Sequence, residues 1–108
     1  MGSKSDRLIR DLTRFRRKIS KRCRIEEMIL FGSRARGRAH KDSDIDLIIV
    51  SDSFKGKGIL ERAPPLYLEW DLVLPVDFIC YTKKEFRELA SQVSIVSEAL
   101  KEGVRIPP

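Results

Sequence analysis

Cysteine is scarce in this chain. Cys23 and Cys80 are the only two, far apart and in no Cys-x-x-Cys pair. That excludes a disulfide framework and a cysteine-built zinc site, and leaves two buried, reduced thiols as the expectation. No apolar run approaches the roughly 20 residues that a membrane helix needs. Met1 to Arg10 carries charge but no apolar stretch of signal-peptide length, so a cytoplasmic protein that engages no membrane is expected. Histidine occurs once, at His40 in a basic stretch, where a surface residue is a better reading than a ligand. Repeats and low-complexity segments are missing as well. With 108 residues the expectation is a single domain over 1–108, with one core and no second lobe.

Positive charge is present and unevenly spread. The net charge is +6, yet residues 1–24 alone hold ten Lys and Arg against Asp6 and Asp11. The rest of the chain is therefore slightly acidic, and the basic character belongs to one element. In that element Leu8, Leu12, Phe15, Ile19 and Cys23 recur every three or four residues, which predicts a helix over 6–23 with one apolar stripe. Its other faces carry Arg7, Arg10, Arg14, Arg17, Lys18, Lys21 and Arg22. They form either a solvated basic face or a landing strip for nucleic acid or an acidic partner.

Beyond the helix the pattern alternates. Met28 to Phe31, Asp44 to Val50 and Val76 to Tyr81 read as strands rich in Ile, Val and Phe. Ser33 to Arg38 suits a short helix ended by Gly37, and Ser51 to Gly58 reads as a loop. Pro64-Pro65 interrupts any long helix, leaving a short one near Leu66 to Trp70. Thr82 with Glu85 is a capping-box pattern that opens a helix through Leu89. A last helix is expected near Val93 to Lys101, ending at Gly103. The sum is an α/β fold with a mixed sheet of three or four strands and helices packed against it.

The chemistry concentrates where Gly32-Ser33 is followed, ten residues later, by Asp44-Ile45-Asp46. Residues two apart on a strand share a face, so Asp44 and Asp46 point one way while Ile45, Leu47 and Ile49 point the other. Neighbouring carboxylates repel, and a divalent cation with a preference for oxygen, such as magnesium, resolves that repulsion. Asp77 lies within the apolar run Val76 to Cys80, where a lone carboxylate is costly to bury. If its strand lies beside the Asp44 strand, Asp77 completes a three-carboxylate cluster able to hold two metal ions for phosphoryl displacement. Taken singly, Asp44 could be a turn residue, Asp46 a strand-end charge and Asp77 a salt-bridge partner. Gly32 allows a backbone to approach phosphate closely, and the Ser33 hydroxyl adds a donor. Arg34 and Arg36 add charge, but a one-turn helix cannot aim both at one ligand.

Two other motifs are excluded. Gly32 to Gly37 has P-loop glycine spacing, but Arg38 and Ala39 stand where Lys and Ser or Thr are needed. Asp42 to Asp46 begins like a calcium-binding EF-hand loop, but Leu47 replaces its Gly and Ser53 its final Glu.

The stretch Phe31-Gly32-Ser33-Arg34-Ala35-Arg36-Gly37, continued by Ser43-Asp44-Ile45-Asp46-Leu47, resembles the signature of the polymerase-beta-type nucleotidyltransferases. More narrowly it is similar to the minimal nucleotidyltransferase group, with Asp77 standing where that family has its third carboxylate. The resemblance implies that Gly32 and Ser33 hold the triphosphate of ATP. It implies that Asp44 and Asp46 bind two magnesium ions, and that Asp77 binds the catalytic one and helps activate an acceptor hydroxyl. It further implies a helical HEPN-type partner protein, AMP transfer to a tyrosine of that partner, and a role as antitoxin of a toxin–antitoxin pair. With no room for domains that grip nucleic acid, an acceptor held by a second protein is the economical expectation. Leu66, Tyr67, Leu68 and Trp70 either cover the sheet or line an open cleft for that partner. Two alternatives stay open: a non-catalytic partner-binding domain of the same fold, and a nucleic-acid-binding or nucleotide-adding protein that uses the basic helix. Turnover separates the first, and salt-sensitive nucleic-acid binding would mark the second.

Overall fold

The computed structural model describes residues 4–32, 34–35 and 44–108. Ordered along the chain, the elements are helix α1 (Lys4–Ile19), strands β1 (Glu27–Phe31) and β2 (Ile45–Val50), and a 3-10 turn (Asp52–Phe54). Short helices α2 (Ile59–Arg62) and α3 (Pro64–Glu69) lead to strand β3 (Val76–Tyr81), helices α4 (Lys83–Ala90) and α5 (Ile95–Glu102), and a two-residue strand β4 (Val104–Arg105). The sheet order is β3-β2-β1-β4. β1 is antiparallel to β2 and β4, whereas β2 and β3 are parallel. The sheet is thus mixed and four-stranded, as the α/β reading anticipated.

β2 is central and buried on both sides, which explains its nearly continuous apolar sequence. One face of the sheet packs Ile45, Leu47, Ile49 and Phe78 against Leu12, Phe15 and Ile19 of α1 and Leu66 of α3. The opposite face packs Ile29, Ile48 and Val50 against Val96 and Ala99 of α5, with Phe86 and Leu89 of α4 alongside. The alternation along β2 therefore feeds two cores, and Asp46 belongs to the α4–α5 side. Among the described residues no helix is long and apolar enough to cross a membrane.

Several element ends differ from the sequence reading. α1 stops at Ile19, and its apolar stripe reaches Cys23 through a tightened turn in which the Cys23 N–H donates to the Ile19 carbonyl at 2.9 Å. β2 starts at Ile45, so Asp44 lies just outside the strand. The 3-10 turn occupies part of the expected loop, with the Ser51 hydroxyl accepting from the Ser53 N–H. Two short helices meet at Ala63 where one was expected, because Pro64 can start a helix although it cannot continue one. The Thr82–Glu85 capping box forms with both reciprocal bonds, at 3.2 and 2.8 Å. The short helix expected after Ser33 lies largely outside the described residues.

Cys80 is buried, and burial pushes its thiol up to about 12, while Cys23 is only half-buried. Leu66 and Trp70 do cover the sheet. Trp70 stacks edge-on against Phe15 at 5.0 Å and Phe78 at 5.8 Å, and its indole N–H donates to the Leu74 carbonyl at 2.9 Å. Leu68 instead stays exposed.

Candidate functional site

The site starts where β1 ends. Phe31 is the last paired residue, opposite Asp46 of β2. The chain then turns at Gly32, with φ +76°, and the Ala35 N–H donates to the Gly32 carbonyl at 3.2 Å to close the turn. This left-handed conformation suits glycine, and space demands it as well. A Cβ at position 32 would lie 2.6 Å from Asp46 Oδ2. The bare backbone of Gly32 thus sits directly against a carboxylate.

Asp46 is also in register with Asp77 on β3. Partners in a parallel pair present side chains on the same face, on strands roughly 4.8 Å apart, so the two carboxylates are neighbours. Asp77 is exposed, Asp46 is half-buried, and Asp44 is exposed just before the strand. The Asp46 carboxyl is raised above the ordinary carboxylate range. Burial contributes most, followed by the charge of Asp77 and then that of Asp44. Each neighbour makes ionisation of Asp46 harder, which shows that the three share one electrostatic environment.

The structure therefore brings together Gly32, Asp46 and Asp77, with Asp44 at their edge. Ser33 lies outside the described residues. Among the described residues no three His, Cys, Asp or Glu side chains close around a common point as they would about a single ion. The chemistry of the donor set is nevertheless compatible with a divalent cation. Its oxygens are hard ligands, and its mutual repulsion is the kind a divalent cation cancels.

A feature that sequence reading missed lies beside this turn. A cavity of about 310 Å³ is lined by Phe31, Gly32, Ile95, Glu98, Ala99 and Glu102. The α5 members recur at helical spacing, but nothing in that spacing shows that they face Gly32. Their placement follows from Gly103, where any side chain would collide with the carbonyls of Ala99 and Leu30. Glycine there lets the end of α5 press onto β1 and lets β4 pair along it.

Comparisons with known proteins bear on the family and the fold. The family model for the nucleotidyltransferase domain matches residues 12–106. MntA of Haemophilus influenzae, assigned as a protein adenylyltransferase, is 34% identical over 79 residues, spanning 71% of this chain and 69% of MntA. Among solved structures, a proposed nucleotidyltransferase from Sulfolobus solfataricus superposes with a TM-score of 0.67 at 22% identity, covering 94% of this chain and 80% of its own. A toxin–antitoxin structure with AMP-PNP superposes with a TM-score of 0.56 at 20% identity, covering 88% and 72% respectively. At these identities the two structures speak for the fold alone. The family match and the MntA relationship carry the assignment: the chain belongs to the nucleotidyltransferase domain family and is a nucleotidyltransferase.

Proposed function

We propose that the protein transfers AMP from ATP to a hydroxyl group, a tyrosine on a helical HEPN-type partner, and acts as the antitoxin of such a pair. The observation that carries the reading is the registered pairing of Asp46 with Asp77 against the bare backbone of Gly32. The MntA relative is assigned to protein adenylylation, and the toxin–antitoxin structure holds an ATP analogue; both support the same direction.

In this reading the turn at Gly32 gives the triphosphate close access to backbone, and Ser33 adds its hydroxyl. Asp44, Asp46 and Asp77 would hold the magnesium ions, which when bound would supply charge to offset the phosphates in the transition state. The acceptor oxygen attacks the α-phosphorus, the bond to the bridging oxygen breaks, and pyrophosphate leaves. Asp77, the exposed member, takes the hydroxyl proton. The half-buried Asp46 cannot be spared, because it alone touches both Gly32 and the Asp77 register.

The test incubates the protein with ATP labelled at the α-phosphate, magnesium, and the protein encoded by the adjacent reading frame. Label is expected on a tyrosine of that neighbour, and to be lost with Asp44→Ala. Label confined to this chain, or appearing on added RNA, would overturn the protein-acceptor reading.

A further inference from the structure

The structure sorts the basic residues of α1 into those it uses and those it leaves. Arg16 is buried, and its guanidinium donates to the carbonyls of Ile106 and Ile25 at 2.6 and 3.1 Å. Lys18 donates to the Glu69 carbonyl at 3.0 Å and lies 3.6 Å from the carboxylates of Glu69 and Asp71. Arg22 pairs with Glu69, and Arg24 with Glu26. Arg16, Lys18 and Arg22 fasten this segment to α3 and to the residues flanking β1 and β4, while the Arg24 pair is local.

Arg7, Arg10, Arg17 and Lys21 are exposed, and no ion pair engages them among the described residues. Arg14 is exposed in the same row and pairs only with Asp11, one turn back at 2.8 Å. The spacing of these five is three, four, three and four residues. At about 100° per residue the four arginines fall within roughly a quarter of the helix circumference, away from Leu12, Phe15 and Ile19. From Arg7 to Arg17 the row runs about 15 Å, and Lys21 prolongs it into the following turn.

We infer that this row is a docking strip for the phosphodiester backbone of a nucleic acid, separate from the nucleotidyl-transfer site. Three observations favour this occupant. The cations recur about every 5–6 Å, and four of the five are Arg, whose planar fork suits phosphate. The row contains no apolar or aromatic residue, whereas a protein partner needs an apolar centre in its interface and a membrane surface needs residues to insert. The remainder of the chain is slightly acidic in sum, so the excess positive charge lies in the segment that carries this strip. α1 packs on the sheet face opposite to Asp46 and Asp77, and its row points outward from that layer. A bound strand therefore lies remote from the carboxylates and is held rather than modified.

The experiment measures binding of fluorescent 20-nucleotide RNA and DNA, single- and double-stranded, by anisotropy between 50 and 200 mM salt. Four or so phosphate contacts predict a slope of log affinity on log salt of about −3.6 for duplex, or roughly 150-fold over that range. The variant Arg7→Gln/Arg10→Gln/Arg17→Gln/Lys21→Gln should bind at least tenfold more weakly with a shallower slope, at a melting temperature close to the parent's. A charge-matched control, Lys57→Gln/Lys84→Gln/Arg87→Gln/Lys101→Gln, should retain more of the binding than the α1 variant. Equal losses in the two variants would reduce the effect to net charge and overturn the inference. So would unchanged binding in the α1 variant, or no salt-dependent binding at all. Displacement by poly-glutamate as efficient as by unlabelled nucleic acid would overturn it in favour of an acidic protein partner. Equally stripe-dependent binding to anionic vesicles would overturn it in favour of a membrane surface.

Discussion

A methyl group added at Gly32 would stand 2.6 Å from Asp46 Oδ2, so the turn after β1 and the first carboxylate of β2 occupy adjoining space with nothing between them. Gly32→Ala therefore meets two penalties. The residue would hold φ +76° with a side chain, at about 1–2 kcal/mol, and the Asp46 carboxylate would have to move aside. A melting temperature lower by roughly 5–10 °C is expected. Displacing a reacting group by about 1 Å costs on the order of 100-fold, so transfer should fall by at least that amount. Parental transfer in a folded Gly32→Ala protein would dissociate this turn from the chemistry.

The raised Asp46 carboxyl gives a pH dependence with a definite sign. Its folded value lies above the unfolded one, so the stability linked to the protonated form is present at low pH and is lost as pH rises through the folded value. At neutral pH without metal the ionised group opposes folding. Asp46→Asn should then melt at or above the parent temperature at pH 7. The gap should close as pH falls toward the ordinary Asp value of about 3.9, while transfer is abolished throughout. A variant that melts well below the parent at pH 7 would mean that Asp46 is held by favourable bonds rather than crowded by its neighbours.

The three principal strands were legible because β2 and β3 are short, apolar and interrupted by charge at one position, whereas the pairing of Asp46 with Asp77 followed only on the condition that their strands be neighbours. Asp77 in particular stood out as a carboxylate inside Val76 to Cys80. The neighbours of the site were not legible. Glu98 and Glu102 reach the Gly32 turn only because α5 folds back over β1, and that depends on close contact at Gly103 rather than on any local pattern. β4 is two residues long and exposed, too short for periodicity to reveal. The start of α3 at Pro64 shows a residue that breaks one helix opening the next.

Arg62 and Glu85 lock α2 to α4 in a way the sequence does not announce. The buried Arg62 guanidinium donates twice to the Glu85 carboxylate, at 2.6 and 3.2 Å, and also to the carbonyls of Lys57 and Cys80. This pairing, with the Thr82 N–H bond, holds the Glu85 carboxyl down to about 2. The folded value is below the unfolded one, so the contribution is present above about pH 4.3 and is lost as pH falls toward 2. Glu85→Gln should lower the melting temperature at pH 7 and flatten its decline below pH 4. Arg62→Ala should cost more, on the order of 2–3 kcal/mol, because the carbonyl bonds are lost too. A Glu85→Gln protein with the parent's acid profile would show that another carboxylate governs it.

Nucleotide and metal should stabilise this fold only together. In the proposed reading a triphosphate at the Gly32 turn would approach Asp46 and Asp77, whose charges already oppose one another. Without a divalent ion that encounter is repulsive; with magnesium it becomes attractive. A ligand that binds only the folded state at 100 times its Kd adds about 2.7 kcal/mol, or roughly 10 °C in a domain of this size. Mg-ATP is expected to give a shift of that order, and ATP with excess chelator much less. Ser33→Ala should reduce the shift without removing it, since the backbone N–H groups of the turn remain. Asp46→Asn should shrink the difference between the two conditions, because a carboxylate that opposed free ATP and supported magnesium has been removed. Differential scanning fluorimetry of the three proteins under both conditions decides the matter: equal shifts with and without magnesium would place the triphosphate away from Asp46 and Asp77.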